Sequence, residues 1–264
     1  MAYATLTFAL DDELDGALAT ITLNRPEKRN AISPEMIGDL LAALDEAERG
    51  TARVVILTGA GKSFCSGMDL EALRGLATQT HEQHVADAER MRKMFYRVYA
   101  FPKPLIAAVN GAAIAGGTGL ATLCDFTLAT PEAKFGYTEV RIGFLPAIVS
   151  VFLLRQVGEK ITRELMLSGK IFDAAEAHRL GLVTQLVPQE KLMESARELA
   201  QSLIASSPTS LALTKRLILR SSEKEIERDL AAAIHESAEI RRTADFREGL
   251  TSFLEKRKPQ WHGR

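Results

Sequence analysis

Arg53-Val54-Val55-Ile56-Leu57-Thr58-Gly59-Ala60-Gly61-Lys62-Ser63-Phe64-Cys65-Ser66-Gly67-Met68-Asp69-Leu70 is the stretch from which the fold is read. Residues 53–58 are apolar enough to be buried on both faces, as a strand inside a parallel sheet would be. They run into a loop holding Gly59, Gly61 and Gly67 and then into a helix start near Asp69. The same order returns downstream. Leu105-Ile106-Ala107-Ala108-Val109 reads as a strand, and Asn110-Gly111-Ala112-Ala113-Ile114-Ala115-Gly116-Gly117-Thr118-Gly119-Leu120-Ala121 as the glycine-rich passage into a helix.

Outward from these segments, residues 17–23 place Ala17, Ala19, Ile21 and Leu23 on one face, the alternation of a half-buried strand. Ser33 and Pro34 open a helix whose stripe is Ile37, Leu40, Leu41 and Leu44 and which ends at Gly50. A helix is predicted near 82–99, with Ala88, Met91, Met94, Phe95 and Val98 on one side, and strands at 125–129 and 183–187. Strands alternating with helices imply a largely parallel sheet with helical crossovers. Beyond residue 189 only helices are predicted: one through Leu192 and Leu203, one opening at Ser207-Pro208, one over 223–242 and a short one through Phe246 and Leu254.

Composition narrows the function classes. The 264 residues are 46% hydrophobic and 25% charged, enough for a sizeable core. With 33 basic against 34 acidic residues, bulk attraction to nucleic acid or an anionic membrane is not expected. Cys65 and Cys124 make a poor disulfide framework. The N-terminus leads into Asp11, Asp12 and Glu13 without a signal-like core, and no run of about 18 apolar residues occurs. The expectation is a cytoplasmic protein without membrane or metal.

Several motifs are decoys. Gly59-Ala60-Gly61-Lys62-Ser63 lacks the first glycine of a phosphate loop, since that position is Ile56. Gly117-Thr118-Gly119 has Thr122 where a dinucleotide fingerprint needs its third glycine. His81 and His84 have the wrong spacing for a metalloprotease pair, and Cys65-Ser66 lacks a nucleophile-elbow frame. The two glycine-rich passages remain. Read alone they are common turn chemistry, yet each could present a free backbone N–H at a helix start, and two such donors meeting at one oxygen would form an oxyanion hole.

These passages, together with Asn24-Arg25-Pro26-Glu27-Lys28-Arg29-Asn30-Ala31-Ile32, Lys103-Pro104, and the ending Glu248-Gly249-Leu250 to Lys258-Pro259, resemble the enoyl-CoA hydratase/isomerase (crotonase) family in order over nearly the whole chain. The resemblance implies an α/β crotonase-like spiral of repeated ββα units over residues 1–200. A helical region over 201–264 would trimerise and lie over the CoA, with trimers pairing into hexamers. It implies an acyl-CoA thioester substrate, no cofactor beyond the CoA that the substrate carries, and no nucleic acid. The oxyanion donors match the amides of Met68 and Gly116, and the proton-transfer group matches Glu139. Substrate contacts fall on Lys28, Arg29, Ser66, Gly67, Asp69, Leu70, Gly117, Gly119, Leu145, Pro146, Phe253 and Lys256.

Hydration of an enoyl thioester needs water activated at the β-carbon and a proton at the α-carbon, which the family's hydratases divide between two glutamates. The first position here is Gly119. Only Glu139 is kept, and the following Ile142 to Ser150 is bulky where hydratases have proline and glycines. The resulting expectation is an enoyl-CoA hydratase of fatty-acid or branched-chain acyl-CoA catabolism. The alternatives are an isomerase moving a 3-enoyl to a 2-enoyl double bond through Glu139, and a non-catalytic CoA- or RNA-binding protein.

Overall fold

The computed structural model describes residues 2–263. It opens on an antiparallel pair, β1 (Leu6–Leu10) and β2 (Leu18–Leu23), with Leu6 opposite Leu23. Helix α1 (Pro34–Arg49) starts where the Ser33 hydroxyl accepts the Met36 N–H at 3.2 Å, and it buries Met36, Ile37, Leu40, Ala43, Leu44 and Ala47.

Three units follow, each a long strand, a short strand and then helix. The first has β3 (Val54–Gly59), β4 (Ser63–Cys65), α2 (Leu70–Leu76) and α3 (His81–Tyr99). The second has β5 (Leu105–Val109), β6 (Ala112–Ile114) and α4 (Gly116–Thr122). The third has β7 (Phe126–Ala129), β8 (Lys134–Gly136) and α5 (Ala147–Ser168). The chain continues through β9 (Phe172–Asp173), α6 (Ala174–Arg179), β10 (Gln185–Leu186), α7 (Leu192–Ile204), α8 (Pro208–Arg220), α9 (Glu223–Ile240) and α10 (Ala244–Leu254).

Long strands enter a six-stranded sheet of order β1-β2-β3-β5-β7-β10, parallel from β2 onward; short strands enter a second sheet of order β4-β6-β8-β9. Each unit advances both sheets by one strand, which makes the chain a spiral ramp. Strand β3 is buried on both faces, as predicted. Its Val55 and Leu57 enter the main core, while Val54 and Ile56 join Ile106 and Leu128 against Leu192, Ala196 and Ala200 of α7. Each such Val, Ile or Leu contributes about 1.5–3 kcal/mol by leaving water.

The structure adds elements absent from the sequence reading. Strands β4, β6 and β8 are three residues long and two of them lie inside the glycine-rich passages, where alternation has no room to show. Helix α5 lacks a side-chain cap and carries Gly158 at φ 74°, so its start and its period are both blurred. The strand predicted over 183–187 shrinks to Gln185–Leu186.

At the C-terminus α9 packs on α3 and α5, and α10 on the turn at 139–142. That last contact is backbone-close: a Cβ on Gly249 would lie 2.4 Å from the Ile142 carbonyl, so only glycine fits there. Among the described residues no helix is long and apolar enough to cross a membrane.

Candidate active site

Strands β4, β6 and β8 run parallel as neighbours, with Cys65 beside Ala113 and Ala113 beside Phe135. The chain leaving each strand's carboxyl end carries, within three residues, Met68, Gly116 and Glu139 in turn. Ligands gather at the carboxyl ends of parallel strands because the loops there carry freely oriented backbone and side chains. Three sequence-distant segments are thus brought to one edge.

Met68 is oriented by its neighbours. Ile32 N–H donates to the Gly67 carbonyl at 2.7 Å and Asp69 N–H donates to the Ile32 carbonyl at 2.9 Å, so the Met68 amide between them points away from Ile32. Gly67 has φ 86°, and a Cβ built there would lie 3.0 Å from the Ala115 Cβ and 3.7 Å from the Gly116 nitrogen. Only glycine lets these two segments approach so closely. Gly116 begins α4 after Ala115, whose φ of 53° and ψ of −123° is a conformation that L-residues avoid. The Ala115 N–H donating to the Gly136 carbonyl at 2.7 Å and the Thr118 hydroxyl bridging Ala113 and Gly136 hold the turn in place. The strain of such a residue costs about 1–3 kcal/mol, and it fixes how the Gly116 N–H is presented.

Glu139 opens a 3-10 turn and is 8% exposed. Its Oε2 is buried without a hydrogen-bond partner, and loss of solvation pushes its carboxyl up from 4.5 to about 7 despite a backbone hydrogen bond that opposes the rise. Asp69 behaves oppositely. Burial opposes its charge, yet the Glu71 N–H at 2.8 Å and the Arg25 guanidinium at 2.9 Å hold its carboxyl below the usual range. It caps α2 and is fully engaged there, so of these two carboxyls only Glu139 is left to exchange protons.

A cavity of about 540 Å³ joins these features. Lys28, Arg29, Ser66, Met68, Asp69, Leu70, Gly116, Glu139, Leu145, Pro146 and Phe253 line it. Lys28, Arg29 and the half-exposed Leu70 and Phe253 stand at its mouth. Four of the sequence-predicted residues, Gly67, Gly117, Gly119 and Lys256, are not on the cavity wall; Gly67 instead makes the close approach to Ala115. Gly117 packs on β4, where a Cβ would sit 2.1 Å from the Cys65 carbonyl oxygen. A Cβ on Gly119 would lie 2.5 Å from Val149 Cγ1 and 3.2 Å from Phe95, so those two side chains fill the space that a larger residue would take. Lys256 is exposed beyond the end of α10 and is not part of the cavity wall. Among the described residues no cluster of three or more His, Cys, Asp or Glu could hold a metal ion.

Phe144, Ile148 and Val149 of the bulky Ile142–Ser150 stretch line the cavity, as its place after Glu139 led one to expect, whereas sequence reasoning missed Ser237 and Arg241 on the inner wall. Arg241 had a legible signal, because Ile226, Leu230, Ile234, Ser237 and Arg241 recur at helical spacing and put a charge on the buried stripe of α9. Its guanidinium binds Asp87 at 2.9 Å and stacks with its Cζ 5.1 Å from the Phe144 ring centroid. Burial pulls its pKa below the ordinary arginine value, while Asp87 opposes the shift.

Comparison with known proteins agrees with this architecture. The enoyl-CoA hydratase/isomerase family pattern matches residues 13–264. A Thermus thermophilus protein provisionally named an enoyl-CoA hydratase is 44% identical over 93% of this chain and 98% of its own. The 1,2-epoxyphenylacetyl-CoA isomerase of Escherichia coli is 34% identical over 95% of this chain and 97% of its own. The crystal structure of an enoyl-CoA hydratase/isomerase from Xanthobacter autotrophicus superposes with a TM-score of 0.87 at 32% identity, covering 97% of both chains. A spiral of ββα units, a helical tail and near full-length likeness to relatives at these identities lead to one assignment: this chain belongs to the enoyl-CoA hydratase/isomerase family.

Proposed function

We propose that the protein is an acyl-CoA enzyme that hydrates 2-enoyl-CoA thioesters with Glu139 as its single proton-transfer group. The observation that carries the reading is a buried carboxyl, unpaired at Oε2, sharing a cavity with the Met68 and Gly116 segments. The thioester oxygen sits between the two backbone N–H groups. As water adds to the β-carbon, negative charge moves onto that oxygen, where one such preorganised donor is worth about 2.7–4 kcal/mol. Ionised Glu139 takes the proton of the attacking water and then delivers it to the α-carbon on the same face, so one carboxyl does both transfers. A value of about 7 suits a group that must be base and acid in turn. Lys28 and Arg29 at the mouth supply cations for the CoA phosphates. CoA enters as part of the substrate, and no separate cofactor is needed.

The second reading is isomerisation of a 3-enoyl to a 2-enoyl thioester, in which Glu139 removes the α-proton and returns it to the γ-carbon. The missing side chain at Gly119 favours it, since no second carboxyl is then required. Incubating the protein with 2-enoyl-CoA and 3-enoyl-CoA separately decides between them. Hydration appears as a product 18 mass units heavier (the added water) with loss of enoyl-thioester absorbance; isomerisation appears as gain of that absorbance at constant mass. Glu139→Gln should lower kcat by about 10²–10⁴-fold while CoA-ester binding persists. Full activity in that variant removes Glu139 from its role.

A further inference from the structure

The inner wall of the cavity carries an arginine that the chemistry above does not use. The Arg241 side chain is 1% exposed and lines the cavity with Ser237. Its Nη1 donates to Asp87 Oδ2 at 2.9 Å, but Nε has no partner and Nη2 reaches the Ser237 hydroxyl only at 3.5 Å. Nε and Nη2 together form the side-on fork of a guanidinium, whose spacing matches the two oxygens of a carboxylate. The local charge is also incomplete. Asp87 is shared with Arg90, at 3.2 Å, so one carboxylate answers two guanidiniums. Phe144 covers one face of Arg241 and supplies no acceptor. A hydrocarbon chain in this pocket would leave a buried charged donor unsatisfied, which is costly.

Resting on the acyl-CoA reading and extending it, we propose that the natural acyl group ends in a carboxylate and that the Nε–Nη2 edge of Arg241 binds it. The CoA phosphates meet cations at the mouth, while the far end of the acyl chain meets a cation inside. Arg241 is then a specificity-determining residue and Asp87 holds it in place.

Calorimetric titration tests this without any turnover, using glutaryl-CoA against pentanoyl-CoA and adipyl-CoA against hexanoyl-CoA, pairs matched in carbon number. The wild type should bind at least one carboxylate-tipped ester about 10–100-fold more tightly than its neutral partner, the range of a charge-assisted hydrogen bond. Arg241→Gln should bring that ratio close to one. Arg241→Lys keeps a cation facing Asp87 but loses the fork, and should keep only a minor part of the preference. Equal binding of each pair by the wild type overturns the proposal even if Arg241→Gln fails to fold, and a full preference in Arg241→Lys overturns the fork. Binding of none of the four esters overturns the acyl-CoA reading, and the proposal with it; binding of all four without preference overturns the proposal alone.

Discussion

Glu139 and Asp69 stand near one cavity and titrate in opposite directions because their partners differ. Asp69 has a guanidinium and the Glu71 N–H at the start of α2, whereas Glu139 faces no guanidinium among the described residues, leaves Oε2 without a partner and has lost its water. With its folded value near 7, above 4.5 for the free side chain, Glu139 binds its proton more tightly in the folded protein. Its contribution to stability is complete below the unfolded value and is lost as pH rises through about 7. Scanning calorimetry should therefore show the wild type losing melting temperature between pH 5 and 8 relative to Glu139→Gln, which carries no such proton. For hydration the ionised form must start the reaction, so kcat/KM of the wild type should rise with pH around an apparent value near 7. A profile flat across that range would place the titrating group elsewhere.

Packing between elements sets what a side chain at Gly119 would cost. Helix α4 lies against Phe95 of α3 and Val149 of α5, with Val149 Cγ1 only 2.5 Å from where a Cβ would be. Gly119→Glu alone should lower stability by about 1–3 kcal/mol through overpacking. Adding Val149→Ala should recover part of that loss in thermal melts, and a double variant no more stable than the single one would contradict the contact. Legibility follows the same logic of local against distant packing. Helix α1 was readable because Ser33, Pro34 and its apolar stripe all act within one segment, and β3 because burial on both faces writes itself as a continuous apolar run. The strand-edge convergence of Met68, Gly116 and Glu139 was reachable only through family resemblance, since nothing local to three-residue strands announces which neighbours they pair with. Arg241 stayed hidden although its position on the α9 stripe was visible, because a charge at a helix end reads equally well as a solvated C-terminus.

For the whole molecule, α8 is the element left unfinished. None of its residues is buried, and Leu213, Leu217 and Ile218 are 47%, 73% and 64% exposed. We expect these side chains to be covered in a trimer, so light scattering should return three times the chain mass, and Leu217→Glu with Ile218→Glu should shift the protein to monomer. A trimeric mass unchanged in that double variant would place the interface elsewhere. Phe144 carries a different message. It lies five residues beyond Glu139, donates its N–H to the Glu139 carbonyl at 3.0 Å, holds the Arg241 guanidinium over its ring and meets Phe246 at a tilt with ring centroids 5.6 Å apart. If Glu139 and Arg241 hold the two ends of the acyl group as proposed, this short stretch of backbone fixes the distance between them. On that proposal, substitutions within 140–149 and 237–241 would reset the length and charge of the acyl group accepted while leaving the Met68 and Gly116 segments untouched.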